Sequence, residues 1–333
     1  MQGQAKWQDA VPVLQWCREN GIKTKGHPLV WTHPAGVPQW LKDYSVETGE
    51  QLLKARVMNV VGGFKDKIDI WDVVNEPVNT RTWLNTKGRN YMREPIDKVA
   101  DYCEKAFRWA HEANPDAHLI LNEFNVIWQS DFNTDPNRTV RQAFIELVKE
   151  LKKRGTPLSG LGIQAHEPRE CWFPPKDTVK TLDELGALGY PLHITEFIPH
   201  SGGKDITGGW REGKWTVDTQ AQFAEQFYRL CFGHPAVISI NWWGVHDKRI
   251  WLPGGGLLDE QLEPKPVYDR LKKMIHQEWK TTLAARTDAD GRLSFRGFFG
   301  RYDVELKTAD GKVHNFTVHL TRDGKKEFVF EID

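Results

Sequence analysis

The sequence predicts an α/β fold of the (β/α)8 TIM-barrel type, followed by a small antiparallel β domain. Short apolar segments alternate with segments whose apolar residues recur at helical spacing. Strands and helices that alternate in this way are typical of βα units and of a parallel sheet. Near residue 280 the helical spacing gives way to an alternation of apolar and polar residues. We therefore expect a barrel domain at 1–280 and a β-meander appendage at 281–333.

Six segments have the composition of buried strands in a parallel sheet, because each is short, apolar and rich in β-branched or aromatic residues. They lie at 22–31, 68–76, 117–125, 158–166, 190–197 and 236–245. A closed barrel of this type has eight strands. We therefore expect an N-terminally truncated barrel with open edges at the first and last of these segments. Such edges also predict self-association, because they expose unpaired backbone groups.

Helical patterns lie between the predicted strands, at 9–20, 47–65, 95–114, 138–154, 177–188 and 218–232. The pattern at 138–154 illustrates them, because its apolar residues follow the i, i+3, i+4, i+7 spacing of one buried helix face. These apolar residues are Val140, Ala143, Phe144, Leu147, Val148 and Leu151.

The last 46 residues, 288–333, predict an antiparallel meander of about four strands. Apolar residues alternate with polar ones around 302–306, 316–320 and 328–332, and Asp-Gly pairs at 290, 310 and 323 separate the runs. Asp-Gly is a strong signal for a hairpin turn. We favour a structural appendage here, and a carbohydrate-binding module is the alternative.

The overall charge argues against partners that are recognised by a basic surface. The chain carries 45 basic and 45 acidic residues, so we expect neither nucleic acid nor an anionic membrane as a partner. No segment approaches the roughly 20 apolar residues that a membrane-spanning helix needs. The four cysteines are spaced singly, which predicts core thiols and leaves the cellular compartment open.

Polar and aromatic residues gather at the ends of the predicted strands. These are His27 and Trp31, Asn75 and Glu76, Asn122 and Asn125, Gln164 and His166, Glu196, and Trp243 followed by Trp251. The active site of a (β/α)8 barrel is assembled from the carboxyl ends of several strands. This distribution therefore predicts a catalytic site at one end of the barrel.

Two of these residues, Glu76 and Glu196, are carboxylic acids, and paired carboxyl groups are what glycoside hydrolysis needs. That chemistry requires one carboxyl group kept protonated by burial and one kept ionised by hydrogen bonds. Each glutamate taken alone has another explanation, a buried ion pair with lysine or arginine. No basic residue directly accompanies either strand end, which weakens that explanation.

Five motifs carry a resemblance over roughly residues 6–277: "GHPLVW", "WDVVNEP", "LGIQAH", "HITEF" and "WWGVHDKRIWL" with "GLLDEQLEPKPVYDRL". In this order they resemble glycoside hydrolase family 10, the endo-β-1,4-xylanases. The resemblance implies a retaining enzyme without metal or organic cofactor that acts on xylan or xylo-oligosaccharides. A substrate of this class favours a secreted or periplasmic location.

The resemblance also implies a role for each strand-end residue. Glu76 would be the general acid/base, Glu196 the nucleophile, and Asn75 the group that binds the sugar 2-hydroxyl. His166 would hydrogen-bond the nucleophile. The glycone side would be lined by His27, Trp31, Asn122, Gln164, Trp243 and Trp251.

The sequence departs from the family pattern at several positions. Thr32 replaces a second histidine, Phe124 replaces an aromatic residue with a hydroxyl group, and Ile198 replaces an aspartate that would orient His166. The Glu-Asn and Lys positions that would grip the glycone sugar have no counterpart in 1–20.

Two alternatives to a xylanase stay open at this point. One is another retaining β-glycanase of the same barrel type. The other is a weakly active or non-catalytic xylan-binding remnant, which the predicted truncation favours. A nucleotide-dependent α/β enzyme is disfavoured, because no GxGxxG or GxxxxGK[ST] motif follows a predicted strand.

Overall fold

The computed structural model describes residues 9–33, 35–78, 95–128, 139–167, 171–207 and 210–332. The chain divides into two compact units, Met1–Tyr268 and Asp269–Asp333. The domain boundary expected near residue 280 stays a prediction.

The first unit is built on one parallel sheet, and every predicted strand segment contains a strand of it. The strands are β1 (Lys25–Gly26), β2 (Val30–Trp31), β3 (Ile70–Asn75), β4 (His118–Glu123), β5 (Gly160–Ile163), β6 (Leu192–Phe197) and β7 (Val237–Trp242). Their order is β1-β3-β4-β5-β6-β7, and β2 also pairs with β3. The segment 22–31 therefore contributes two short strands that run beside the same neighbour.

Among the described residues, six α-helices coincide with the predicted helical segments, and the last one, at Pro266–Lys273, was not predicted. They are α1 (Val11–Glu19), α2 (Val46–Gly63), α3 (Ile96–Ala113), α4 (Val140–Lys153), α5 (Pro175–Gly186), α6 (Val217–Gly233) and α7 (Pro266–Lys273). Helix α4 begins with a capping box, in which the Thr139 side chain and Gln142 satisfy each other's backbone N–H groups. All six apolar residues predicted for its inner face are buried.

Burial follows the position of each strand in the sheet. Every residue of β5 and β6 is buried, and so is every residue of β3 and β4 after the first. Strand β7 has no fully buried residue, and the side chain of Ile238 is 60% exposed. Among the described residues, β7 pairs with β6 alone and β1 pairs with β3 alone. The sheet is thus an open barrel of six βα units, as the sequence predicts.

The second unit contains one antiparallel hairpin rather than a meander of about four strands. The hairpin pairs β8 (Gly300–Lys307) with β9 (Val313–Leu320), and Gly311 turns the chain between them with a φ of 88°. Within the described residues, 321–332 forms no strand. Phe330 instead stacks on Phe316 with ring centroids 4.2 Å apart. Near the end of the chain, Phe330 therefore packs against the hairpin through its side chain, and the alternating apolar residues there do not form a paired strand, so the predicted strand count was wrong.

Of the four cysteines, three are buried, and Cys17 is partly exposed, which corrects the prediction that all four are core thiols. Burial raises the pKa of Cys171 to about 12, and raises the pKa values of Cys103 and Cys231 further. In the part of the chain that the structure describes, no helix has the length and apolar character to cross a membrane.

Candidate active site

The carboxyl ends of the parallel strands lie at the same edge of the sheet and carry the predicted site residues. Register explains part of this arrangement, because Trp31 on β2 is paired with Asn75 on β3, and Asn75 is paired with Asn122 on β4. The next residue in this row is Gly162 on β5. A Cβ atom there would overlap the Asn122 amide oxygen, so glycine leaves room for the Asn122 side chain.

Glu76 directly follows β3, and its carboxyl group is contacted by Trp31, Gln164 and Asn75. Trp31 Nε1 donates to Oε2 at 2.8 Å, whereas Gln164 Nε2 lies 3.2 Å and Asn75 Nδ2 3.3 Å from Oε1. The residue is partly exposed and not buried, which corrects the expectation of a buried acid. Its backbone φ is 56°, in the left-handed region. Non-glycine residues held in that region are typical of functional sites.

Glu196 lies inside β6 and is 4% exposed. Asn122 Nδ2 donates to Oε1 at 2.7 Å, and His166 Nε2 lies 3.0 Å from Oε2. The ring atom His27 Nδ1 lies 3.9 Å from Oε1. Both carboxyl oxygens of Glu196 are therefore held in place by neighbouring strand-end side chains.

The two glutamates are joined by a chain of amide groups. Asn75 Oδ1 accepts hydrogen bonds from Gln164 Nε2 at 3.0 Å and from Asn122 Nδ2 at 2.8 Å. Gln164 also contacts Glu76, and Asn122 also contacts Glu196. One asparagine oxygen thus couples the positions of both carboxyl groups.

Thr195, Asp72 and Lys25 support this network and were not predicted from the sequence. Thr195 Oγ1 donates to Asn122 Oδ1 at 2.6 Å and thereby orients that amide. Asp72 is fully buried, and its Oδ2 lies 2.9 Å from both His27 Nδ1 and Lys25 Nζ. A charged residue inside the apolar run "IWDVVN" was the signal that could have identified Asp72.

The predicted tryptophans extend the site from its two histidines. Trp243 lies edge-on to His27 and His166, with ring centroids 5.2 Å and 6.3 Å away. Trp251 is perpendicular to His166 at 5.3 Å and is 52% exposed. Aromatic faces that are open to solvent suit stacking on sugar rings. All ten predicted catalytic and substrate-binding residues thus lie in one connected group, and their individual roles stay predictions.

The departures from the family pattern also have structural consequences. His166 Nδ1 is buried and has no hydrogen-bond partner among the described residues. Ile198 is fully buried. His33, one place after the expected second histidine, stacks on Trp31 at 4.7 Å. Phe124 is partly exposed at the end of β4.

No group of three or more His, Cys, Asp or Glu side chains in the described ranges is placed to hold a metal ion. The arrangement offers acid–base and nucleophilic chemistry through two carboxyl groups, beside aromatic surfaces.

Comparisons with known proteins give the same family as the motifs. The model of glycosyl hydrolase family 10 matches residues 1–274. Endo-1,4-beta-xylanase B of Thermotoga neapolitana is 29% identical over 283 residues, which is 80% of this chain and 73% of the relative. Endo-1,4-beta-xylanase 2 of Arabidopsis thaliana is 28% identical over 95% of this chain, and this chain spans 27% of that longer protein.

A solved structure shows the same fold. Xylanase 10B from Thermotoga petrophila in complex with xylobiose has a TM-score of 0.64 and 28% identity, and the alignment covers 84% of this chain and 81% of that chain. With the barrel-type fold, the strand-end glutamates and the family match, this chain belongs to glycosyl hydrolase family 10.

Proposed function

We propose that this protein is an endo-β-1,4-xylanase that hydrolyses xylan by double displacement, with Glu76 as general acid/base and Glu196 as nucleophile. The observation that carries the proposal is the hydrogen-bonded chain Glu76–Gln164–Asn75–Asn122–Glu196, which links the two carboxyl groups across the strand ends. Retaining glycosidases need two carboxyl groups about 5–5.5 Å apart. We expect this separation between Glu76 and Glu196.

In the first step, the Glu196 carboxylate attacks the anomeric carbon of the sugar and the glycosidic C–O bond breaks. Glu76 gives its proton to the departing oxygen at the same time. In the second step, Glu76 takes a proton from water, and the resulting hydroxide displaces Glu196 from the anomeric carbon. Two inversions at the same carbon leave its configuration unchanged.

Asn75 is held in a way that suits the sugar 2-hydroxyl. Its amide oxygen accepts two hydrogen bonds, from Asn122 and Gln164. Its Nδ2 makes one longer contact of 3.3 Å with Glu76 in the described part of the chain. Because the oxygen is anchored, the NH₂ group keeps a constant direction and has donor capacity for substrate.

The substrate assignment rests on the relatives and on the tryptophans. The compared relatives are named xylanases, and one solved relative contains xylobiose. Trp243 and Trp251 would wall the sugar site next to the scissile bond, where a hydroxymethyl group on the sugar would clash. We therefore expect xylan to be preferred over β-glucan and mannan. Equal rates on barley β-glucan and on xylan would refute this preference.

Azide rescue tests the two roles separately. We expect Glu196→Ala to abolish hydrolysis, and azide to form an α-glycosyl azide from an activated aryl xyloside. We expect Glu76→Ala to keep turnover of aryl xylosides with good leaving groups, and azide to form the β-azide. Wild-type rates on xylan in both variants would refute the assignment.

The open sheet favours a second candidate, a xylan-binding protein with weak or no turnover. Strands β1 and β7 do not pair in the described ranges, so one side of the barrel mouth is not enclosed by this sheet. Calorimetric titration with xylohexaose and an assay for reducing sugars distinguish the two candidates. Binding without release of reducing ends would identify the second candidate.

A further inference from the structure

We propose that Glu123 is a positioning residue that aims Glu76 at the glycosidic oxygen. This inference rests on the proposed role of Glu76 as the acid, and it adds a residue that does not itself touch the substrate. Glu123 is the last residue of β4 and is fully buried. It would act through the backbone of the segment that carries Glu76.

The contacts of Glu123 bridge two strand ends. Its Oε2 accepts the backbone N–H of Val78 at 2.8 Å, and its Oε1 accepts the backbone N–H of Phe124 at 2.9 Å. Val78 lies two residues after Glu76 on the segment that leaves β3. Glu123 therefore ties the backbone next to the acid to the end of β4.

The backbone at Glu76 needs such support because it is in an unfavourable conformation. Its φ of 56° is rarely adopted by residues with a side chain, and such conformations persist only where the surroundings hold them. The backbone N–H of Glu76 donates to the carbonyl of Asn122 at 2.8 Å. The two last residues of β4, Asn122 and Glu123, thus hold the chain on both sides of the left-handed residue.

The same arrangement recurs one strand further along the sheet. Asn125 follows β4 with a φ of 55°, and the backbone N–H of Ile127, two residues later, donates to Glu167 Oε1 at 3.0 Å. Glu167 follows β5 and is 5% exposed. Glu167 therefore makes an equivalent contact to a segment that does not carry the acid, which makes it a matched control for Glu123.

A carboxyl group is required at position 123 because two N–H groups point at it. In Glu123→Gln, one of the two acceptor oxygens becomes an NH₂ group, so an N–H would face an N–H. Either the Val78 segment or the Phe124 segment then loses its partner and moves. Movement of the Val78 segment displaces Glu76 from the leaving oxygen, and displacements of about 1 Å can cost about 10²-fold in rate.

The experiment compares E123Q and E167Q on aryl β-xylobiosides with leaving groups of graded pKa. We expect E123Q to lower kcat/KM by roughly tenfold or more for poor leaving groups and little for good ones, because acid catalysis contributes about 10²–10⁴-fold where protonation is needed. E167Q should leave the dependence on leaving group unchanged, because the segment that Glu167 holds does not carry the acid. Equal dependence in E123Q and E167Q would overturn the proposal.

A second comparison uses Glu76→Ala as background. If Glu123 acts through Glu76, E123Q should have no further effect on poor leaving groups once the acid is absent. An undiminished effect in E76A/E123Q would reduce Glu123 to a structural role. If E123Q does not fold, E123D replaces it. Aspartate keeps both acceptor oxygens but is shorter by one methylene group. We expect E123D to lower kcat/KM for poor leaving groups as E123Q does, but by a smaller factor.

Failure of the proposed function is distinguishable from failure of this inference. If Glu76 is not the acid, kcat/KM of E76A depends on the leaving-group pKa in the same way as that of the wild type. For a protein without turnover, crystal structures of E123Q and E167Q decide the question. A displaced Glu76 carboxyl group in E123Q alone supports the inference, and an undisplaced one overturns it.

Discussion

A pair of contacting histidines on strands β4 and β6 of the first unit, of which His193 is buried and His118 is partly exposed, predicts that this protein loses stability in acid. His118 Nε2 and His193 Nε2 lie 2.9 Å apart, and His193 Nδ1 lies 2.8 Å from Ser239 Oγ. The pair fits because position 160 is glycine, where a Cβ atom would press against both rings. His193 is 3% exposed. Desolvation, followed by the neighbouring His118 and Lys25, lowers the pKa of His193 from 6.5 to about 4.

The sign and size of the effect follow from linkage. Because the pKa of folded His193 lies below the unfolded value, the unfolded chain binds more protons between the two values. The stabilisation is complete above pH 6.5 and is lost as the pH falls towards 4. A pKa lowered from 6.5 to about 4 corresponds to about 3 kcal/mol of unfolding free energy. The charge of Asp72 acts in the opposite direction and raises the pKa of His193. The pKa of His118 is also lowered, first by desolvation and then by the charge of Lys23.

Urea unfolding at pH 7, 5.5 and 4.5 measures this loss in the wild type and in His193→Gln, which keeps polar contacts but does not titrate. We expect the variant to be less stable at pH 7 and to lose about 2–3 kcal/mol less than the wild type by pH 4.5. Equal losses in the two proteins would show that His193 does not carry the acid sensitivity.

Three further predictions concern the site, the sheet edge and a buried ion pair. Asn122→Ala should lower kcat on xylan roughly 10²-fold with little change in KM, because it releases Glu196 and Asn75 together, and initial rates measure this. Ile238→Lys should raise the onset temperature of light scattering without lowering the thermal midpoint, since a charge on an exposed edge strand opposes self-association; an unchanged onset would argue against the edge as the contact. Lys265 is 5% exposed, and its Nζ lies 3.1 Å from the Asp247 carboxyl group. Lys265→Met should lower the free energy of unfolding by about 3–5 kcal/mol in thermal unfolding, because it leaves the Asp247 carboxylate without its cation. Adding Asp247→Asn should recover part of that loss.

The sequence by itself predicted the strand segments and helices α1 to α6, and it singled out the polar and aromatic residues that gather at the strand ends. Period alone located α4, because one buried helix face repeats every three to four residues. Buried strands of a parallel sheet are apolar on both faces, so each appears as one continuous run. A glutamate at the end of such a run, as at Glu76, is conspicuous without any knowledge of its partners.

Only the tertiary structure decided how these residues contact one another. The Trp31–Glu76 and Glu123–Val78 bonds join residues 45 positions apart, and the His118–His193 contact joins residues 75 apart. Local periodicity shows which face a side chain occupies and not what lies opposite it. For the same reason the alternation around Phe330 predicted a strand where the structure has a ring stacked on Phe316. Contacts of this kind depend on strand order and register, which arise when distant segments pack together.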